Sequence, residues 1–124
     1  MFSNTPAFSS FAVDDLDAAR SFYTDTLGLT VTDGPMGVLS LDLSGDRSIL
    51  IYPKPDFTPA TYTVLNFQVD DVEAAVDELS SRGIEFERYD DSFQQDERGI
   101  ARAEGPAIAW FRDPAGNILA VLAN

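Results

Sequence analysis

A seven-residue segment occurs twice in this chain, and this repeat constrains the fold more than any other feature of the sequence. Residues 13–19 read VDDLDAA and residues 69–75 read VDDVEAA, at an offset of 56 residues. Each copy follows an apolar segment and precedes a helical pattern that ends near a glycine, Gly28 or Gly83. Because two such units fill a chain of 124 residues, we predict a duplicated supersecondary unit.

The two halves show the same order of secondary-structure patterns. In each half, an alternating apolar segment precedes the repeated motif, where Asp14 and Asp70 are the expected helix N-caps and Glu73 completes a capping box. Later strand patterns cover residues 29–32, 38–43 and 48–52 in the first half and 84–89, 107–112 and 118–123 in the second. Each half is therefore predicted to be strand–helix–strand–strand–strand, with residues 54–60 as an extended connector and a hairpin turn at 113–117.

The composition excludes several classes of chemistry. The chain contains no cysteine and no histidine, which excludes disulfides, thiolate nucleophiles, imidazole bases and His/Cys metal sites. The net charge of −13, from 21 acidic against 8 basic residues, disfavours binding to nucleic acid and to an anionic membrane surface. No apolar run is long enough to span a membrane, and residues 1–6 do not resemble a signal peptide. We therefore expect a cytoplasmic protein.

With these motifs the chain resembles the vicinal oxygen chelate superfamily, which includes glyoxalase I, bleomycin-resistance proteins and extradiol dioxygenases. The resemblance extends over essentially the whole chain and is carried by residues 13–16, 22–23, 27–29, 69–72, 82–83 and 111–117. It implies an α+β fold of two βαβββ modules, about residues 7–53 and 61–123. These modules are expected to form a half-open, curled, mostly antiparallel sheet with helices on its convex side. One domain would contain both, as residues about 1–55 and 60–124.

The resemblance also identifies the positions where enzymes of this superfamily bind a divalent metal. Histidine is usual on the first strand of each module and glutamate on the last. Here those positions hold Phe8 and Val64 on the first strands, and Leu50 and Ala120 on the last. None of these side chains carries a nitrogen, oxygen or sulfur donor. We therefore predict no metal at this site, no cofactor and no glyoxalase-type activity.

Strand alternation then predicts which side chains face the ligand cavity. Residues in phase with the four metal positions are expected to point into it: Phe8, Ser10, Ala12, Ser48, Leu50, Tyr52, Tyr62, Val64, Asn66, Gln68, Ile118, Ala120 and Leu122. The opposite phase is more uniformly apolar and is expected to lie under the helices: Phe11, Val13, Ile49, Ile51, Leu65, Phe67, Val69, Leu119 and Val121. An apolar cavity with a few hydroxyl, phenol and amide groups is typical of a small-molecule pocket.

Several side chains around this cavity have two interpretations each. The polar groups Tyr52, Tyr62, Asn66 and Gln68 either orient a ligand or hydrogen-bond one another and water. Because Trp110 and Phe111 are adjacent on one strand, only one of them can face the cavity.

The long segment 90–106 is either a lid or a solvent-exposed loop. As a lid, it would insert Phe93 or Ile100 into the cavity and present Arg98 or Arg102 to an anionic ligand. As a loop, its arginines would pair with neighbouring acids. In the preceding strand pattern, Glu85, Glu87 and Tyr89 alternate, which is typical either of acid–base work or of an exposed edge strand.

We therefore expect a glyoxalase/bleomycin-resistance-like protein that binds a small apolar or aromatic molecule without metal and forms a homodimer. The alternatives are a metal-independent enzyme of lyase or isomerase type that uses tyrosine or carboxylate groups, and a non-catalytic dimerising scaffold. The candidate ligand contacts are Phe8, Ser10, Leu50, Tyr52, Tyr62, Val64, Asn66, Gln68, Phe93, Arg98, Trp110 and Ala120.

Overall fold

A computed structural model describes residues 1–89, 94–102 and 105–124 of the chain. Phe93 lies outside the described residues. The chain divides into two compact units, Met1–Thr58 and Pro59–Asn124, so the boundary lies within the connector predicted at 54–60. In the described part of the chain, no helix has the length and apolar character needed to cross a bilayer.

The first unit contains a four-stranded sheet and one short helix. Its elements are β1 (Ser10–Val13), α1 (Leu16–Ser21), β2 (Thr30–Asp33), β3 (Leu39–Leu43) and β4 (Arg47–Pro53). The strand order is β1-β4-β3-β2, in which β1 is parallel to β4 and the other pairs are antiparallel. This is the predicted strand–helix–strand–strand–strand order.

The second unit contains a three-stranded sheet and a longer helix. Its elements are β5 (Thr63–Val69), α2 (Val72–Ser81), β6 (Ile108–Arg112) and β7 (Ile118–Ala123), with the strand order β5-β7-β6. The predicted hairpin at 113–117 joins the antiparallel strands β6 and β7. Asn117 N–H donates to Asp113 Oδ1 (2.8 Å) and closes that turn. The α+β class is confirmed.

The predicted strand at 84–89 is wrong as a continuous element. It is reduced to one bridge between Phe86 and Phe111 and a hydrogen bond from Glu87 N–H to the Trp110 carbonyl (2.8 Å). Beyond that point, Tyr89 N–H donates to Gln95 Oε1 (2.7 Å). A side chain therefore satisfies a backbone donor that a longer strand ladder would use.

The helix caps lie one residue later than predicted. Asp15 accepts from Ala18 N–H (3.2 Å) and Asp71 from Ala74 N–H (3.1 Å), so Asp14 and Asp70 are not the caps. Both caps have extended backbone, and their side-chain oxygens reach the third helical N–H. The capping-box prediction, which paired Asp70 with Glu73, is therefore also wrong.

The repeated Asp-Asp pair allows a direct test of the corrected cap. We expect Asp71→Ala to lower the free energy of unfolding by about 1 kcal/mol, because it leaves a helix donor without its partner. Asp70→Ala is the matched control: Asp70 accepts from Asn124 Nδ2 at an exposed site, so its loss should cost a few tenths of a kcal/mol at most. Urea unfolding measures both, and equal costs would contradict this assignment of the cap.

Helix α1 differs from the prediction in ending as a π-helical turn over Phe22–Thr26. Leu27 N–H donates to the Phe22 carbonyl (3.0 Å). Two consecutive aromatic side chains, Phe22 and Tyr23, are buried there with their rings 5.1 Å apart. Consecutive residues of a regular α-helix point about 100° apart, so we attribute the wider turn to the packing of both rings.

Each unit has an apolar core, and in the first unit the buried strand residues lie on the predicted phase. In the first unit Val13, Leu41 and Ile51 are fully buried together with Tyr23. In the second unit, α2 packs against β6 and β7 through its buried residues, Val72 and Val76. The strand residues buried in the second unit are Ala109, Phe111, Ile118, Leu119, Ala120 and Val121. Ile118 and Ala120 belong to the phase predicted to face the cavity, so β7 is buried on both of its faces.

Candidate functional site

The two faces of the second sheet differ in what covers them. Trp110 pairs with Ala120, which pairs with Asn66, so these three side chains share one face. Phe111 pairs with Leu119 on the opposite face, where both are fully buried under α2. Strand alternation thus places Trp110 on the sheet face that α2 leaves uncovered, and Phe111 in the core.

A pocket of about 310 Å³ lies at the Trp110 face of this sheet. We call it the aromatic pocket, and its lining residues are Thr61, Tyr62, Thr63, Tyr89, Trp110 and Ile118. Tyr62 and Trp110 were among the predicted ligand contacts. These described residues supply three aromatic rings, two threonine hydroxyls and one aliphatic side chain, with no carboxylate, ammonium or guanidinium group among them.

A β-bulge determines which residues of β5 line the aromatic pocket. Thr63 pairs with Ile118 and Leu65 with Leu119, so the register shifts between Thr63 and Leu65. Regular alternation would have placed Val64 beside Ile118, but the shift places Thr63 there. Val64 is half-buried and does not line the pocket.

Tyr89 contributes a pocket wall that the predicted ligand contacts did not include. Its ring lies 5.3 Å from that of Trp110, with 70° between the ring planes, an edge-to-face geometry that favours aromatic pairs. Gln95 holds the segment in place by accepting from Tyr89 N–H and donating to the carbonyls of Glu87 and Gly99 (both 2.8 Å). Burial raises the pKa of Tyr89, the nearby Glu87 carboxylate raises it further, and Arg112 acts in the opposite direction.

Beside the pocket, Glu87 and Arg112 form an ion pair. Arg112 Nε donates to Glu87 Oε1 (2.6 Å), and Arg112 Nη1 donates to the Gly116 carbonyl (2.9 Å). The hydrogen bond to Glu87 raises the pKa of Arg112. The carboxylate is thus held by a cation, and the raised pKa keeps the Tyr89 phenol protonated at neutral pH. Both effects weaken the acid–base interpretation of these residues.

The predicted contacts of the first unit lie on the face of its sheet away from the core. Ser10 pairs with Leu50, and Ala12 pairs with Tyr52. Ser10 and Tyr52 are exposed, Leu50 is half-buried, and Phe8 precedes β1 with 70% of its surface exposed. In the second unit Asn66 and Gln68 are likewise exposed. None of these residues lines the aromatic pocket, and neither does Ala120, a predicted contact that is fully buried.

The strand registers also test whether the expected metal positions fit a metal. The 56-residue offset makes Ser10 equivalent to Asn66, and their partners are Leu50 and Ala120. Leu50 and Ala120 thus occupy equivalent positions in the two units, as expected from the resemblance. With hydrocarbon side chains there and at the first-strand positions, the donor set does not fit a divalent metal. Across residues 1–89, 94–102 and 105–124, no group of three or more acidic, His or Cys side chains could hold one.

Arg98 and Arg102 are directed to acidic residues rather than to the pocket. Arg98 donates to Asp77 (3.0 Å) and Glu73 (3.2 Å) on α2, the helix that covers the Phe111 face. Arg102 donates to Asp96 Oδ2 (2.5 Å). Ile100, the described candidate for insertion into the cavity, is fully buried. The described part of the loop therefore matches the interpretation in which its arginines pair with neighbouring acids.

Comparison with known proteins identifies the family. The model of the Glyoxalase/Bleomycin resistance protein/Dioxygenase superfamily matches residues 7–121, which is nearly the whole chain. The protein therefore belongs to this superfamily. A search of curated proteins finds no match.

Solved structures share the fold along their full length. A glyoxalase family protein from Bacillus anthracis is 22% identical, with a TM-score of 0.71 and coverage of 100% of this chain and 99% of its own. The antibiotic binding protein TnmS3 from Streptomyces sp. CB03234 is 23% identical, with a TM-score of 0.69 and 97% coverage of both chains. Lactoylglutathione lyase from Agrobacterium tumefaciens is 22% identical, with a TM-score of 0.68 and coverage of 98% and 96%.

Proposed function

We propose that this protein binds a small molecule with an apolar or aromatic surface in the aromatic pocket, without a metal ion. The observation that carries the proposal is the group of three aromatic rings, Tyr62, Tyr89 and Trp110, that line about 310 Å³ of space on the sheet face opposite α2. This volume lies at the small end of the range for ligand pockets, which are mostly apolar with a few polar groups that orient the ligand. The hydroxyls of Thr61 and Thr63 are suited to that orienting role.

Binding is favoured over catalysis by the chemistry of the groups near the pocket. The fold is shared with both an antibiotic binding protein and a lyase, so the fold itself does not separate the two functions. Burial raises the pKa of the Tyr89 phenol, and the Glu87 carboxylate is occupied by its hydrogen bond from Arg112. A protonated phenol can still donate a hydrogen bond to a bound molecule.

The single tryptophan of the chain makes the proposal directly testable. Because Trp110 is the only tryptophan and lines the pocket, all tryptophan emission comes from this wall, and variants of the wall show whether the quenching dye is bound there. We expect the neutral aromatic dye N-phenyl-1-naphthylamine to quench Trp110 with one-to-one stoichiometry. Tyr62→Ala should weaken this binding at least fivefold, because it removes one ring from the wall.

The control for this test is Tyr52→Ala, which removes a tyrosine that is also exposed but lies in the first unit. It should leave the dye affinity unchanged. The proposal is wrong if neither this dye nor a panel of neutral and cationic aromatic compounds quenches Trp110. It is equally wrong if Tyr62→Ala and Tyr52→Ala affect binding to the same extent.

We also propose that the protein is a homodimer. Two compact units of this size expose apolar side chains, including Phe2 and Met36, and pairing of identical chains is the commonest way in which small proteins cover such surface. Multi-angle light scattering at micromolar concentration should return about twice the chain mass of 13.5 kDa. A mass that stays at the single-chain value across that range would contradict the proposal.

A further inference from the structure

We propose that the ligand of the aromatic pocket is an organic cation that carries a quaternary or fully substituted ammonium group. This inference rests on the proposed function, because it assigns a chemical class to the molecule that the same pocket binds.

The arrangement of the rings is the first observation. Trp110 and Tyr89 lie 5.3 Å apart with their planes 70° from parallel, so they form a corner rather than a stack. Tyr62, with 69% of its surface exposed, adds a third ring. A cation within about 6 Å of an aromatic face is attracted by the ring quadrupole, and rings set at an angle around one space are the usual way of holding a quaternary ammonium group.

Charge is the second observation, and it is independent of the rings. None of the described residues that line the pocket carries a cationic side chain. The nearby guanidinium of Arg112 is neutralised by Glu87 (2.6 Å) and also donates to the Gly116 carbonyl. The chain as a whole carries −13, and a field of that sign attracts cations and repels anions.

The hydrogen-bonding groups narrow the class of cation. A primary ammonium carries three N–H donors, each of which needs an acceptor when it leaves water. Within residues 1–89, 94–102 and 105–124, the lining offers the hydroxyls of Thr61 and Thr63 and two phenols, but no carboxylate. A quaternary ammonium has no N–H to satisfy, and its methyl groups pack on aromatic rings as an apolar surface does. The lining therefore fits a quaternary cation better than a primary amine or an anion.

The test compares two probes of the same shape. Benzyltrimethylammonium and neopentylbenzene differ only in a charged nitrogen against a neutral carbon. Both are titrated into the full-length protein, and binding is measured from Trp110 emission and from displacement of N-phenyl-1-naphthylamine. We expect the cation to bind at least fivefold more tightly, and its affinity to fall when the salt concentration is raised, because salt screens the field.

Variants of Tyr62 separate the effect of the ring from that of side-chain size. Tyr62→Phe keeps an aromatic face, whereas Tyr62→Leu keeps apolar bulk without one. Because Tyr62 is exposed, neither change should prevent folding. For the cation, Tyr62→Leu should weaken binding about two- to fivefold relative to Tyr62→Phe, which is the range of one exposed cation–π contact. For neopentylbenzene, which keeps the phenyl ring but lacks the charge, the difference between the two variants should be smaller than for the cation.

The outcomes distinguish this inference from the proposed function. If neopentylbenzene binds as tightly as the cation, or more tightly, the cation assignment is overturned while the pocket remains a ligand site. If neither probe binds and the dye does not quench Trp110, the proposed function fails, and the cation assignment fails with it. A preference for the cation that Tyr62→Leu does not reduce would also overturn the role of the rings.

Discussion

Replacing Phe111 by alanine is expected to lower the free energy of unfolding by about 3–5 kcal/mol, the usual cost of removing a buried aromatic side chain. Phe111 is 0% exposed, lies opposite Leu119 in the register of β6 and β7, and packs edge-on against Phe86 at 5.6 Å. Alanine would leave a cavity between the sheet and α2. Urea unfolding followed by circular dichroism measures this loss.

The matched control is Phe8→Ala, the same chemical change at a side chain that is 70% exposed. Its effect on the free energy of unfolding should stay within about 0.5 kcal/mol. Comparable losses in the two variants would mean that the core of the second unit is not organised around Phe111.

Much of this fold could be predicted from the sequence because the repeated segment combines three local signals. An alternating apolar strand, an aspartate cap and a glycine that ends the helix each act over a few residues. Gly28 and Gly83 do adopt positive φ, at 71° and 92°, where other residues are strained. Agreement between such signals in both halves made the order of elements predictable.

The features that the sequence did not indicate depend on contacts between distant residues. The bulge at Val64 carries no glycine or proline to mark it. The strand predicted at 84–89 is interrupted where the Gln95 side chain accepts from Tyr89 N–H. This contact joins residues six apart, and alternation of apolar residues cannot show it. For the same reason Thr61, Thr63 and Tyr89 were not predicted as pocket residues.

The two units also differ in which strand carries the large side chain on the sheet face where the ligand contacts were predicted. In the first unit the register aligns Ser10, Leu50 and Ser40, with the large side chain on the middle strand. In the second unit the equivalent row is Asn66, Ala120 and Trp110, with the large side chain on the neighbouring strand. The large side chain of this row, Trp110, is the one that lines the aromatic pocket. The repeat alone does not distinguish these two rows, because it conserves the backbone pattern rather than side-chain volume.

Because Trp110 is the large side chain of that row, its removal is expected to have the largest effect on ligand binding. Trp110→Ala should weaken the binding of N-phenyl-1-naphthylamine about 30-fold, which corresponds to the roughly 2 kcal/mol typical of a dominant aromatic contact. The loss has two sources: the ring surface itself, and the edge-to-face contact that positions Tyr89 (5.3 Å). Because the variant has no tryptophan, binding is followed by the emission of the dye and by calorimetry.

Two further variants make this prediction specific. Trp110→Phe keeps a ring at the same strand position and should retain most of the affinity, because an aromatic surface remains in the wall. Ser40→Ala changes the equivalent position of the first unit and should leave the dye affinity unchanged. Thermal unfolding of each variant shows whether its second unit remains folded. Trp110→Ala removes more of the pocket wall than any other variant tested. If this variant is folded and binds the dye as tightly as the wild-type protein does, the ligand site lies outside the aromatic pocket.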